Sequence, residues 1–96
     1  MNFIHLKAFY SVAKYKSFTK AAHRLNVSQP TLTLQVQHLE NRYDIPLIKR
    51  TKSNIELTSE GKIVFSYAEK IFSIVRDLES NLEDFNSLKA GKLKIG

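Results

Sequence analysis

The chain has 96 residues, no cysteine, 43% hydrophobic residues and a formal net charge of +6. That length makes one small domain, or one domain with an appendage, and the hydrophobic share is enough to build a core rather than leave a disordered chain. Without cysteine there is no disulfide or thiolate metal site; no cleavage site or long apolar run opens the chain and no stretch approaches the roughly 20 apolar residues of a membrane span, so it reads as cytoplasmic.

Asn2 can cap a first helix in which Phe3, Leu6, Phe9 or Tyr10, and Ala13 follow helical spacing and should cover the back of the next two helices. Tyr15-Lys16-Ser17 interrupts it, and Ser17 is the expected cap of a second helix. Ala21 and Ala22 put small side chains where a third helix must cross closely. Asn26 tolerates the left-handed conformation that ends a helix, Val27 plugs the turn from inside, and Ser28 can accept a hydrogen bond from the next helix's free N–H groups. Pro30 falls in the first turn, where a missing N–H costs nothing. The whole run, from Ser17 to Glu40, reads as two helices joined by a tight turn.

In the third helix Leu32, Val36, Leu39 and Tyr43 recur at spacings of four, three and four, which defines one apolar face. The other face carries Gln29, Thr31, Thr33, Gln35, Gln37 and His38, with no acid among them. Hydrogen-bonding side chains without negative charge suit a helix that lies in the major groove of DNA. After Asp44-Ile45-Pro46, two short β-like runs flank the polar turn Thr51-Lys52-Ser53-Asn54 and predict a hairpin, or wing, directly behind that helix.

Charge follows the same division. Residues 1–58 hold nine Lys or Arg against three acids, whereas residues 59–96 hold six of each. All the excess positive charge therefore accompanies the helix-turn-helix, as expected when only that half touches phosphates.

Thr58 can cap a fourth helix, with Glu60 in a first turn that favours negative charge. This helix, roughly 30 residues and on the order of 45 Å long, runs to about Lys89 and is too long for so small a domain. Val64, Ile71, Leu78 and Phe85 repeat every seven residues, and Ala68, Val75 and Leu82 interleave four residues later. This heptad seam predicts pairing with another helix. Ile63, Tyr67 and Ile74 widen the apolar face near the helix start, where it is expected to rest on the winged domain. Ala90-Gly91 ends the helix, and Lys92 to Gly96 alternates like a strand.

In this order and spacing, the residues resemble the LysR-type transcriptional regulators. The resemblance rests on Phe9 with Val12-Ala13, Ser17-Phe18-Thr19 before Ala21-Ala22, Leu25, Ser28-Gln29-Pro30, Leu39-Glu40, Pro46-Leu47, Arg50, Leu57-Thr58 with Gly61, and Gly91 through Gly96, and it covers essentially the whole chain. It implies a mainly α fold: a winged helix-turn-helix over residues 1–58, a dimerising linker helix over 59–89, and, at 90–96, the start of a larger C-terminal effector-binding domain. Tyr43-Asp44 stands where the family usually has Leu-Gly, Ile48 where it has Phe, and Leu34 where a polar or basic residue is commoner. The last of these bears on base preference.

Gln29 is the leading candidate for base contact, because an amide at the leading end of the third helix can bond adenine N6 and N7 together. Pro30, Thr31 and Leu34 project nearby, and Pro30 or Leu34 could meet a thymine methyl. Ser28 and Thr33 are candidate phosphate donors at a helix start. On the wing, Arg50 is expected to hold a phosphate and Lys52 or Ser53 to reach the minor groove. The dimer seam is expected to comprise Val64, Ala68, Ile71, Val75, Leu78, Leu82 and Phe85. His5, His23 and His38 lack the short spacing that places two ligands on one helix face, so neither a metal nor another cofactor is expected, and no nucleophile set or glycine-rich phosphate loop points to an enzyme.

The expected partners are double-stranded DNA read as inverted-repeat half-sites, a second copy of the chain, with a tetramer as the alternative assembly at full length, and a small-molecule effector held only by the C-terminal domain. Two other readings compete: a coiled-coil adaptor whose basic domain binds an acidic protein, and a self-sufficient winged-helix repressor with a ligand pocket in its dimer. Sequence discrimination among DNA targets separates the first from the regulator; a strand expected over Gly91 to Gly96 with nothing to pair with counts against the second.

Overall fold

The computed structural model describes residues 1–52 and 54–89. Three helices, α1 (Phe3–Tyr15), α2 (Phe18–Leu25) and α3 (Gln29–Tyr43), precede a hairpin of β1 (Ile48–Arg50) and β2 (Ile55–Leu57), which α4 (Ser59–Lys89) follows. The strands pair antiparallel with Ile48 opposite Leu57 and Arg50 opposite Ile55. The fold is mainly α, a winged helix-turn-helix carrying one long helix. Ser53 and residues 90–96, with the helix end expected at Ala90-Gly91 and the strand expected from Lys92, lie outside the described residues.

Side-chain caps start the helices. Asn2 Oδ1 accepts from the N–H groups of Ile4 and His5, Ser17 Oγ from that of Lys20, Ser28 Oγ from that of Thr31, and Thr58 Oγ1 from that of Gly61. Each satisfies a donor that the helix itself leaves open. The first three helices end on Lys16, Asn26 and Asp44, all left-handed with φ of 54°, 58° and 56°. At Asp44 the chain takes up the conformation for which glycine is better suited.

α1 is the centre of the fold. Residues from Ala8 to Ala13 are buried without a break, because α2 and α3 pack on one side of the helix and α4 on the other. Both Phe9 and Tyr10 are therefore interior, in one core with Leu32 and Val36, and Tyr10 is stacked on Phe65 with ring centroids 5.4 Å apart and tilted against Phe72 at 5.2 Å. Truncating a buried phenylalanine such as Phe9 typically costs about 3–5 kcal/mol, so this helix decides whether the domain exists. Two expected core positions lie at the margin instead: Phe3 is half open and touches Phe72 edge-on, and Tyr43 is 44% exposed where α3 runs out beyond the core.

The long helix is rotated from its expected setting. Ala68 is fully buried within the protomer, and Val64, Ile71 and Val75 are half-buried against the same core, so the first half of the predicted dimer seam is the face that docks on α1. Ile63, Tyr67 and Ile74, expected to rest on the domain, are all exposed. Tyr10 explains the difference: its ring needs Phe65 and Phe72, and seating that pair turns the helix by about one residue, roughly 100°. Leu78, Leu82 and Phe85 lie past the winged domain and are exposed, so a stripe from Ile63 to Leu88 has no cover within one protomer.

Candidate nucleic-acid interface

The turn between α2 and α3 is held from both sides. Asn26 N–H bonds back to the carbonyls of Ala22 and His23, Val27 N–H bonds to Ala22 O at 3.0 Å, and the Val27 side chain is half-buried against the core. Ser28 then opens α3 with Pro30 in its first turn. Leu32, Val36 and Leu39 face the core, leaving Gln29, Pro30, Thr31, Leu34, Gln37 and His38 exposed. Leu34 is 55% exposed on that face, and Thr33 is half-buried. The four candidate base-contact residues are thus all accessible in the leading half of α3.

Two of the hydroxyls are engaged. Ser28 Oγ caps the helix and also donates to Thr31 Oγ1 at 2.8 Å, so the hydroxyl proposed for a phosphate has its proton directed inward. Thr31 keeps its own proton to donate. Gln29 Oε1 accepts from Thr19 Oγ1 at 3.2 Å, which ties the start of α2 to the start of α3. Thr19 belongs to the Ser17-Phe18-Thr19 element of the family resemblance, but nothing in the sequence pairs it with Gln29.

The wing is anchored by Glu40, Thr58 and Gly61. Glu40 Oε2 accepts from the N–H groups of Leu47 and Ile48 at 2.8 and 3.1 Å, so a carboxylate on α3 fixes the base of β1. Thr58 Oγ1 donates to Pro46 O at 2.8 Å, and a Cβ on Gly61 would overlap the carbonyl oxygen of Leu47. α4 can approach the wing so closely only because residue 61 has no side chain. At the hairpin tip Thr51 bonds Asn54 through backbone and hydroxyl, and Lys52 is exposed. The Arg50 guanidinium lies 4.3 Å from the ring centroid of Phe18, the first residue of α2, which draws the wing's cation beside the helix-turn-helix.

Not all the excess charge gathers there. Lys7, Lys14 and Arg24 line a cleft whose walls include no residue of α3 or the hairpin. His5 and His38, far apart in sequence, meet edge to face at 5.1 Å, but no group of three or more His, Cys, Asp or Glu side chains that could hold a metal ion occurs among the described residues. Among those residues no helix is long and apolar enough to cross a membrane.

Helix-turn-helix, wing and long trailing helix together define a winged helix-turn-helix module. Residues 3–62 match the model of the bacterial regulatory helix-turn-helix proteins of the lysR family, and the chain belongs to that family, one of transcriptional regulators rather than enzymes. It is 38% identical over 91 residues to a probable RuBisCO transcriptional regulator of Cyanidioschyzon merolae, an alignment covering 95% of this chain and 30% of that protein. The chain spans between 26% and 31% of the length of such curated relatives. Among solved structures it is similar to the BenM DNA-binding domain in complex with catB site 1 DNA, at a TM-score of 0.82 and 37% identity over 91% of this chain and 98% of that one. It is also similar to full-length CbnR complexed with its target DNA, at a TM-score of 0.74 and 35% identity over 86% of this chain and 29% of that one.

Proposed function

We propose that the chain is the DNA-binding part of a cytoplasmic transcription regulator, reading inverted-repeat half-sites on double-stranded DNA as a homodimer. The observation that carries this reading is the exposed, acid-free face of α3, held at a fixed angle by the α2–α3 turn and flanked by Arg50. Such a helix enters the major groove, where Gln29, Pro30, Thr31 and Leu34 meet base edges. Thr33 and the backbone around Ser28 lie beside phosphates, as helix N-termini do. Arg50 adds a phosphate contact, and Lys52 at the hairpin tip reaches the minor groove. The likeness to the BenM and CbnR DNA complexes supports the same use of this surface.

Dimerisation falls to α4 over residues 59–89, acting apart from the winged domain of residues 1–58. Its exposed stripe of Ile63, Tyr67, Ile74, Leu78, Leu82, Phe85 and Leu88 is apolar, and a second copy is the partner that a two-fold operator calls for. In the longer regulator a separate effector-binding domain holds the small-molecule ligand and sets any further assembly, in keeping with the 26% to 31% of its relatives' length that this chain spans. Selection from random duplexes tests the reading: an inverted repeat should be enriched, and one half-site alone should bind more weakly and without cooperativity. Enrichment of no sequence would overturn it.

A further inference from the structure

Between α1, α2 and the middle of α4 lies a cleft of about 340 Å³. Four exposed cations rim it: Lys7 and Lys14 two turns apart on α1, Arg24 on α2 and Arg76 on α4. Glu79 is the one acid among its lining residues, so the rim carries a formal excess of three positive charges. Its floor is apolar, with Leu25 and Val75 half-buried and Phe72 buried. Tyr15 sits between two of the cations: the Arg24 guanidinium is 5.0 Å from its ring centroid and the Lys14 ammonium 5.8 Å, which holds both heads at the rim by attraction to the ring face.

We infer that this cleft is a docking site for an acidic, leucine-bearing segment of another protein. Every lining residue lies within a helix, so the backbone N–H groups along the walls are committed to helical bonds and no nest of amides is available for a phosphate. Positive charge is supplied only by long side chains, and Lys7 and Lys14 are separated by about 10 Å along α1. Spread cations over an apolar floor match several carboxylates with apolar side chains between them better than one compact anion.

Its position also keeps it open. No wall belongs to α3 or the hairpin, and Arg76 is two residues from both Ile74 and Leu78, about 200° around α4 from the free apolar stripe. A molecule seated on DNA through α3 and paired through that stripe would still present this cleft to an acidic partner. The cleft is thus a second ligand surface, independent of the one that meets DNA.

Fluorescence anisotropy with a labelled peptide of four Glu-Glu-Leu repeats tests the assignment without DNA present. The peptide should bind, and a control with Ser in place of Leu, equal in charge, should bind more weakly. Replacing Arg24→Gln and Arg76→Gln together should weaken binding by about tenfold or more, as loss of paired interfacial charges does, with the circular dichroism unchanged. Lys49→Gln, outside the cleft, should have little effect, and the double variant should retain the salt slope of DNA binding. Absence of peptide binding, equal loss from Lys49→Gln, equal affinity for the serine control, displacement by tripolyphosphate at matched ionic strength, or displacement by duplex DNA would each overturn it. Of these only the Lys49→Gln and duplex-DNA outcomes involve the DNA surface, and none alters selection of an inverted repeat, so failure of the cleft is separable from failure of the regulator reading.

Discussion

Thr19 Oγ1 donates a 3.2 Å hydrogen bond to Gln29 Oε1, so a side chain in the first turn of α2 orients the amide that opens α3. With Oε1 facing Thr19, the Nε2 donors are left to point outward, toward acceptors such as guanine O6 and N7, adenine N7 or thymine O4. A bidentate grip on adenine would require Oε1 to accept a second bond through its remaining lone pair. Gln29→Ala should cost about 1–3 kcal/mol on the selected operator and much less on random DNA, because base contacts carry discrimination. Thr19→Val should lower discrimination only while Gln29 is present, a dependence that a double-mutant cycle measures. Equal losses on both DNAs would demote Gln29 to positioning.

Arg50 combines two roles, since its guanidinium covers the Phe18 ring while its charge remains exposed. Arg50→Ala should weaken specific and random binding alike and flatten the slope of log affinity against log salt by about one. An unchanged slope with a lowered melting temperature would leave stacking on Phe18 as its only role.

Asp44 ends α3 at φ 56°, with its N–H bonded to the carbonyls of Asn41 and Glu40. Glycine adopts this conformation without the Cβ penalty, which is about 1–2 kcal/mol for an ordinary residue and smaller for aspartate. Asp44→Gly should therefore raise stability by up to about 1 kcal/mol in urea melts, and Asp44→Val should lower it.

Much of this was legible in the sequence, and the exceptions have one cause. The helix caps at Asn2, Ser17, Ser28 and Thr58, the left-handed Asn26 and the hairpin after Pro46 are local features, set by a few neighbouring residues and read directly from them. What escaped was the setting of one helix against another. The heptad of Val64, Ala68, Ile71 and Val75 has the same period whether it faces a second chain or α1, and it is contacts between elements, those of Tyr10 with Phe65 and Phe72 among them, that decide. The Thr19–Gln29 bond and the cation cleft likewise depend on residues brought together from separate helices. Charge counting along the chain could not say that Lys7, Lys14 and Arg24 turn away from α3.

Close approach of two elements also governs Gly61, because a Cβ there would overlap the Leu47 carbonyl oxygen, which already accepts from Thr58 N–H at 3.0 Å. Backbone cannot yield as a flexible side chain can. Gly61→Ala should destabilise the domain by about 1–3 kcal/mol and loosen the wing base, seen as faster hydrogen exchange at Leu47 and Ile48.

Helix α4 offers two substitutions with opposite readouts, because its two apolar faces have different covers. Ala68 is buried inside the protomer, so Ala68→Leu should overpack the α1–α4 contact and lower stability by about 1–3 kcal/mol. Leu78 is 54% exposed in a single protomer and lies in the stripe assigned to the second copy, so Leu78→Lys leaves the winged core untouched. In a paired seam the lysine would bury a charge without a partner, a far larger penalty than one exposed helix position carries. Light scattering should therefore show a monomer, with circular dichroism still reporting a folded helical domain. The monomer should lose cooperative binding to an inverted repeat yet keep weak, salt-sensitive binding through α3 and the wing. A dimer that persists would refute pairing through this stripe, and a monomer that still fills both half-sites cooperatively would refute its part in recognition.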